Sequence, residues 1–272
     1  MIKDIVVKLS LSSPDHAGAY AVSLAAAFEA HLTAVAFAYE PEIMPDPSGQ
    51  GSRRFMRLRE ENEEGASAAA AAFEKQADAA GVAVAARVMT TTLSASYDLF
   101  GRIARRFDLA VVGQDEPEKE EAEALVAEGA LFESGRPLVR VPYIHKAPLK
   151  LDRVMVCWDG SRPAARAAAD AMPLLTRAKQ VDIVIVAQAK TDEMPGADVA
   201  EHLARHGINV TVQRIARGDL DVKDALLNYA ADSTADFVVM GGYGHSRIRE
   251  FILGGVTRGM LASMTVPTLM SH

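Results

Sequence analysis

A single cysteine, Cys157, leaves no partner for an internal disulfide and no ligand set for a cysteine-based zinc site. No apolar run reaches the roughly 18 residues that span a bilayer. The opening stretch MIKDIVVKLSLSSPDHAG is apolar over too short a length, and meets an acid too early, to be a secretory signal, so a cytoplasmic protein is expected. Positive charge is in deficit. The 29 Lys and Arg against 36 Asp and Glu leave a net charge of −7, which offers no general attraction to nucleic acid or to an anionic membrane. One Trp and six Tyr are too few for an aromatic platform under single strands. The first strand carries no G-x-G-x-x-G, and neither Gly-Lys-Ser/Thr nor G-x-S-x-G occurs, so the Rossmann fingerprint, the P-loop and the nucleophile elbow are all missing. His202 and His206 share a helix face at a spacing that can bind a metal. Leu203-Ala204-Arg205 between them lacks the zincin glutamate, and no third ligand is evident, so no metal site is expected. No constellation for nucleophilic catalysis is found.

What is present is an alternation of short β-branched runs with Ala-rich helical stretches. Strands are predicted at Ile2–Leu9, Leu32–Tyr39, Val82–Met89, Leu109–Gly113 and Pro137–Val141. Helices are predicted at Asp15–Glu29, Phe55–Ala80 (one or two), Ser96–Phe107 and Ala124–Ser134, with a loop over Glu40–Ser52 and an acidic solvated loop or helix start at Asp115–Glu123. The pattern then restarts. Strands at Asp152–Trp158, Val181–Ala187, Ile208–Ile215, Phe237–Gly241 and Val266–Met270 alternate with helices at Ala164–Leu175, Val199–His206, Val222–Ser233 and Val256–Met264. Such alternation means βαβ units and a parallel sheet.

The two halves overlay. Ile5-Val6-Val7 matches Val154-Met155-Val156, DLAVVG at Asp108–Gly113 matches DFVVMG at Asp236–Gly241, and LFESGRP at Leu131–Pro137 matches LASMTVP at Leu261–Pro267. The period is too long for a solenoid and reads as a duplicated domain, with the boundary in YIHKAPLKL, Tyr143–Leu151. Domains are expected at 1–145 and 150–272. The halves differ where chemistry would sit. Trp158-Asp159-Gly160-Ser161 in the second stands against Leu9-Ser10-Leu11-Ser12 in the first. The glycine stretch FVVMGGYGHSRIREFILGGVT, Phe237–Thr257, stands against Gly113-Gln114-Asp115-Glu116-Pro117. The first half places acids where an anion would lie, and like charges there disfavour one. At most one nucleotide site per chain is therefore expected, in the second half.

That glycine stretch fits Gly241-x2-Gly244-x9-Gly254. It reads as a buried strand ending in a loop with almost no side chains, then a second such loop opening a helix at Val256. Glycine lets backbone approach a ligand, and free helix N-terminal amides favour an anion, so the two loops suit the two sides of a phosphate chain. His245, Ser246, Arg247 and Arg249 between them could screen phosphate charge. They also read as a solvated basic segment, and Arg249 beside Glu250 is read that way. Asp159 at the carboxyl end of a parallel strand suits a ribose or a metal bridging phosphates. Asp-Gly-Ser is equally the composition of a turn with a helix cap. Cys157, inside an apolar strand, reads as inert packing.

These residues resemble the universal stress protein family, and the chain looks like a tandem member of it. The resemblance rests on Asp159, on Val239-Met240-Gly241 entering Gly241-x2-Gly244-x9-Gly254, on Val256-Thr257 and on Val266-Pro267-Thr268-Leu269. It covers Asp152–His272 and extends more loosely over the first half. It implies two tandem doubly wound α/β domains with five-stranded parallel sheets, of the adenine-nucleotide α-hydrolase-like type. The first is degenerate. The second binds ATP, with or without Mg2+, through Asp159, Gly241, Gly244, Gly254, Gly255, Val256 and Thr257, with adenine near Val186 and Ala187. One departure stands out. The family has Ser or Thr where this chain has Gly255, a loss of one neutral hydrogen bond worth about 1 kcal/mol, with Thr257 as a substitute hydroxyl. The resemblance further implies a stress-response role that is regulatory, with at most weak ATP hydrolysis. It also implies pairing of the two domains through the last strand, Val266–Met270, as a pseudo-dimer. A protein partner, and a homodimer of chains, are left open. The alternative reading is a scaffold of the same fold that works by protein contact or by binding another small molecule.

Overall fold

The structure, a computed structural model, describes residues 1–11, 14–41, 50–116, 122–187, 196–216, 218–242 and 256–272. The chain divides into two compact units, Ile2–Arg136 and Pro137–His272, the latter joined by Met1. Strands and helices alternate through most of each, as the sequence predicts.

The N-terminal unit runs β1 (Asp4–Lys8), α1 (His16–Phe28), β2 (His31–Tyr39), α2 (Gln50–Ala79), β3 (Val84–Thr91), α3 (Leu93–Ala104), β4 (Leu109–Gly113) and α4 (Ala122–Glu133). The strands lie in the order β3-β2-β1-β4, all parallel. Helices cover both faces, so the central strands need no polar side. Ile5, Val6 and Val7 of β1 and Val111 and Val112 of β4 are all fully buried, which is why they read as apolar runs rather than alternating ones. α2 begins at Gln50, inside the stretch expected to be a loop, and is one helix rather than two. The i,i+4 pairs Arg57–Glu61 and Arg59–Glu63 support its charged first half. Ala66, Ala70, Phe73 and Ala77 bury one face of its second half. Gly81, at φ 70°, allows the turn that follows it.

The C-terminal unit runs β5 (Leu138–Val141), β6 (Arg153–Cys157), α5 (Arg162–Asp170), α6 (Met172–Leu175), β7 (Gln180–Ala187), α7 (Ala197–Arg205), β8 (Val210–Ala216), α8 (Val222–Asp232), β9 (Phe237–Gly241), α9 (Val256–Ser263) and β10 (Thr268–Ser271). Strand order is β5-β10-β9-β6-β7-β8, parallel throughout except that β5 pairs antiparallel with β10, Val139 opposite Leu269. The helix expected over Ala164–Leu175 is two, with Ala171 between them. Pro173 falls two residues on and cannot continue the hydrogen-bond ladder.

The repeat seen in sequence has a structural reason at its aspartates. Asp108 accepts the amides of Lys3 and Asp4 at 2.8 and 3.1 Å, and Asp236 accepts the amide of Arg153 at 2.9 Å. In each unit the acid just before a central strand, β4 or β9, pins the entry to its neighbour, β1 or β6.

Candidate functional site

In a doubly wound sheet, ligands bind outside the carboxyl ends of the strands where the strand order reverses. In the C-terminal unit that point lies between β6 and β9, since the chain passes from β6 outward to β7 and β8 and then returns to β9 on the other side. Asp159 follows β6 and Gly241 ends β9, so the topology brings these two predicted residues to one crevice. β7 pairs with β6 only as far as Val184 opposite Cys157, then runs on to Ala187. The three extra residues, about 10 Å at strand rise, make a wall beside the floor that β6 provides. Val186 and Ala187, expected near adenine, lie in that wall, and β8 pairs alongside them as far as Ala216.

The loop after β6 is built by local hydrogen bonds. Gly160 takes φ 75°, which a side chain would strain. The Asp159 Oδ1 accepts the Ser161 amide at 2.9 Å, and the Ser161 hydroxyl accepts the Ala164 amide at 3.3 Å as the N-cap of α5. Asp159 is exposed, and among the described residues Ser161 is its one hydrogen-bond partner. The turn-and-cap reading of Asp-Gly-Ser therefore holds, and it leaves the carboxylate facing solvent with acceptor capacity for a pair of hydroxyls.

Gly241 is held by packing. A Cβ there would lie 2.5 Å from the Ala164 nitrogen and 2.5 Å from the Pro163 carbonyl carbon, so the first turn of α5 rests directly on the strand end. Beyond it the Gly242 amide donates to the Ser271 carbonyl at 2.8 Å, and the His272 ring meets the Gly242 carbonyl at 3.1 Å. Nothing in the sequence pattern signalled that last contact, which follows from the register of β10 against β9. Val256 opens α9, and Thr257 in its first turn is 4% exposed. Gly244, His245, Ser246, Arg247, Arg249, Gly254 and Gly255 lie outside the described residues.

Cys157 and Trp158 complete the β6 end. Burial, with a smaller contribution from the Asp159 charge, pushes the Cys157 thiol up to about 12. It is half-buried at the end of β6, and its thiol stays protonated at neutral pH. Trp158, half-buried, donates its amide to the Val184 carbonyl at 2.9 Å. The His202 and His206 rings meet edge to face at 5.0 Å, and among the described residues no group of three or more His, Cys, Asp or Glu could hold a metal ion.

The equivalent crevice of the N-terminal unit, between β1 and β4, has different contents. Lys8 at the end of β1 is 3% exposed and forms an ion pair with Glu123 of α4. Asp115 accepts the Glu123 and Ala124 amides at 2.8 and 2.7 Å. At these two residues the acidic segment is no solvated loop, and Glu123 lies in the first turn of α4, the helix start that was the other expectation. Lys8 was missed in sequence. Its one signal is a lysine closing the β-branched run Ile5-Val6-Val7.

A parallel doubly wound α/β unit with its crevice at the β6/β9 switch point defines the class. Within it, residues 150–272 match the Universal stress protein family. Universal stress protein Slr1230 of Synechocystis sp. (strain ATCC 27184 / PCC 6803 / Kazusa) is 31% identical over 90 residues, which are 31% of this chain and only 30% of that protein. A universal stress protein from Archaeoglobus fulgidus DSM 4304 has the same fold over 98% of this chain and 95% of its own, with a TM-score of 0.72 at 16% identity. A universal stress protein solved in complex with cAMP aligns with 46% of this chain and 98% of its own, at 21% identity and a TM-score of 0.37.

Proposed function

We propose that the C-terminal unit binds ATP in the crevice outside β6 and β9, and that the protein acts as a cytoplasmic regulator in the stress response rather than as a catalyst. The observation that carries this reading is the switch-point topology, which sets Asp159 and Gly241, far apart in sequence, at adjacent strand ends. The exposed Asp159 carboxylate suits a ribose diol, and the overhang of β7 past Cys157, with the half-buried Val186, offers a wall for a base. The glycine loops from Gly241 to Gly255, with Val256 and Thr257 opening α9, would take the phosphates, with or without Mg2+. In this reading residues 150–272 are the nucleotide-binding domain and residues 1–145 a degenerate copy. No helix among the described residues is long and apolar enough to cross a membrane.

The test is equilibrium dialysis of the full chain against ATP. Asp159→Ala and Gly244→Glu should lose nucleotide, whereas Asp115→Ala should not. Failure of the unsubstituted protein to bind at millimolar ATP would sink the proposal.

A second reading has its own observation. Gly241 is required by its contact with α5, and Asp159 by its turn with Ser161, so both have structural reasons to be what they are. On that reading the chain is a scaffold, or binds another small molecule. Mass spectrometry of the protein after denaturation separates the two, because a co-purified adenine nucleotide excludes the scaffold.

A further inference from the structure

The crevice of the N-terminal unit sits at the reversal between β1 and β4, where a ligand of this fold would be placed. The donors there are those an oxyanion uses. One is the Lys8 ammonium, buried at the end of β1 and 5.8 Å from the centroid of the Tyr39 ring. The others are first-turn amides of α4, those of Glu123 and Ala124. One residue links the two sets. Glu123 gives its amide to Asp115 and its carboxylate to Lys8. Burial alone would lower the Lys8 pKa. The charge and hydrogen bond of Glu123, with Tyr39 and Asp15 behind them, reverse that and leave it raised. The rim is closed in the same manner. Asp15 takes the amides of Gly18 and Ser10 at 2.9 and 3.2 Å, and the Asn62 side-chain amide of α2 donates to the Tyr39 carbonyl at 2.7 Å.

We infer that this crevice is an oxyanion site that the chain fills with its own carboxylates, Asp115 on the α4 amides and Glu123 on Lys8, so that the N-terminal unit takes up no phosphate-type anion while they are in place. A carboxylate on helix amides does what a phosphate oxygen would do, with its ordering already built into the fold. The inference is independent of what the C-terminal unit binds, because it concerns a different set of residues.

Inorganic phosphate is the probe, with the full chain and with chloride at matched ionic strength as the reference. The variant Asp115→Asn/Glu123→Gln keeps side-chain volume and removes both charges, leaving Lys8 and the α4 amides without a full counter-charge. Its thermal midpoint should climb in a saturable way with phosphate. The unsubstituted chain and Lys8→Met/Asp115→Asn/Glu123→Gln should both stay flat, or share one smaller response arising elsewhere. Equal phosphate responses with and without Lys8 overturn the inference. So does a Lys8-dependent response already present in the unsubstituted protein, read against Lys8→Met. Should the double variant unfold in phosphate-free buffer, recovery of its circular dichroism by phosphate supports the inference, and failure to recover overturns it.

Discussion

Gly241 and Ala164 stand so close that a Cβ on the glycine would lie 2.5 Å from the alanine backbone nitrogen. The contact sets the end of β9 under the first turn of α5, and α5 begins two residues after Gly160 in the Asp159 loop. Both sides of the crevice are thereby joined through one helix turn. Gly113 and Ala17 repeat the relationship in the N-terminal unit, more loosely, at 3.3 Å from the alanine Cβ.

Gly241→Ala should therefore destabilise the C-terminal unit by about 1–3 kcal/mol, the range for forcing an extra methyl into packed backbone. Gly113→Ala should cost less, since a side-chain methyl can give by a few tenths of an ångström. Urea midpoints at unchanged slope would show the ordering. Equal effects would mean that the backbone contact at Gly241 does not limit the packing.

The Lys8–Glu123 pair is nearly dry on both sides, with 3% and 12% of the side chains exposed. Removing only the acid, as in Glu123→Ala, should cost about 3–5 kcal/mol, because an uncompensated buried charge remains. Lys8→Met/Glu123→Leu should recover most of that loss. Stability measured across the series checks both statements.

The same pair sets an alkaline dependence. The folded Lys8 pKa lies above its ordinary 10.5. Its contribution is complete below about pH 10.5 and is lost as pH rises through the higher folded value. Unfolding midpoints should fall more steeply above that pH in the unsubstituted protein than in Lys8→Met/Glu123→Leu. Parallel curves would contradict the assignment.

Cys157 should be slow to alkylate. With the thiol pushed up to about 12, the reactive thiolate near pH 8 is a far smaller fraction than in a free thiol. Iodoacetamide labelling of native against urea-unfolded protein measures it. Comparable rates in the two states would show the thiol to be open.

Much of this was legible in sequence because it rests on period and punctuation. Strands β4 and β9 match their predicted bounds to the residue, since DLAVVG and DFVVMG are apolar runs closed by a glycine. Element ends slipped where side chains, rather than period, decide them. Asp15 proved to be the cap of α1 rather than its first residue, and Pro173 divided a helix that composition alone would have run together. Asp159 was legible as a candidate because it follows a strand, but its Asx turn with Ser161 needs geometry. Lys8 was not legible as a site residue at all. A buried lysine is explained only by its partner, and Glu123 lies 115 residues away. The acidic run from Asp115 to Glu123 read as a solvated loop or helix start for the same reason, since Asp115 meets its amide donors only in α4 and Glu123 meets Lys8 only once α4 lies beside the end of β1.

We propose that the chain holds nucleotide at one crevice, beside Asp159, and not at the other. Equilibrium dialysis against ATP tests it most directly. Saturation at one ATP per chain is expected, weakened about 10- to 100-fold in Asp159→Ala, as the loss of hydrogen bonds to a charged acceptor worth about 1.5–3 kcal/mol implies. No uptake at millimolar ATP, or binding unchanged in Asp159→Ala, would contradict it.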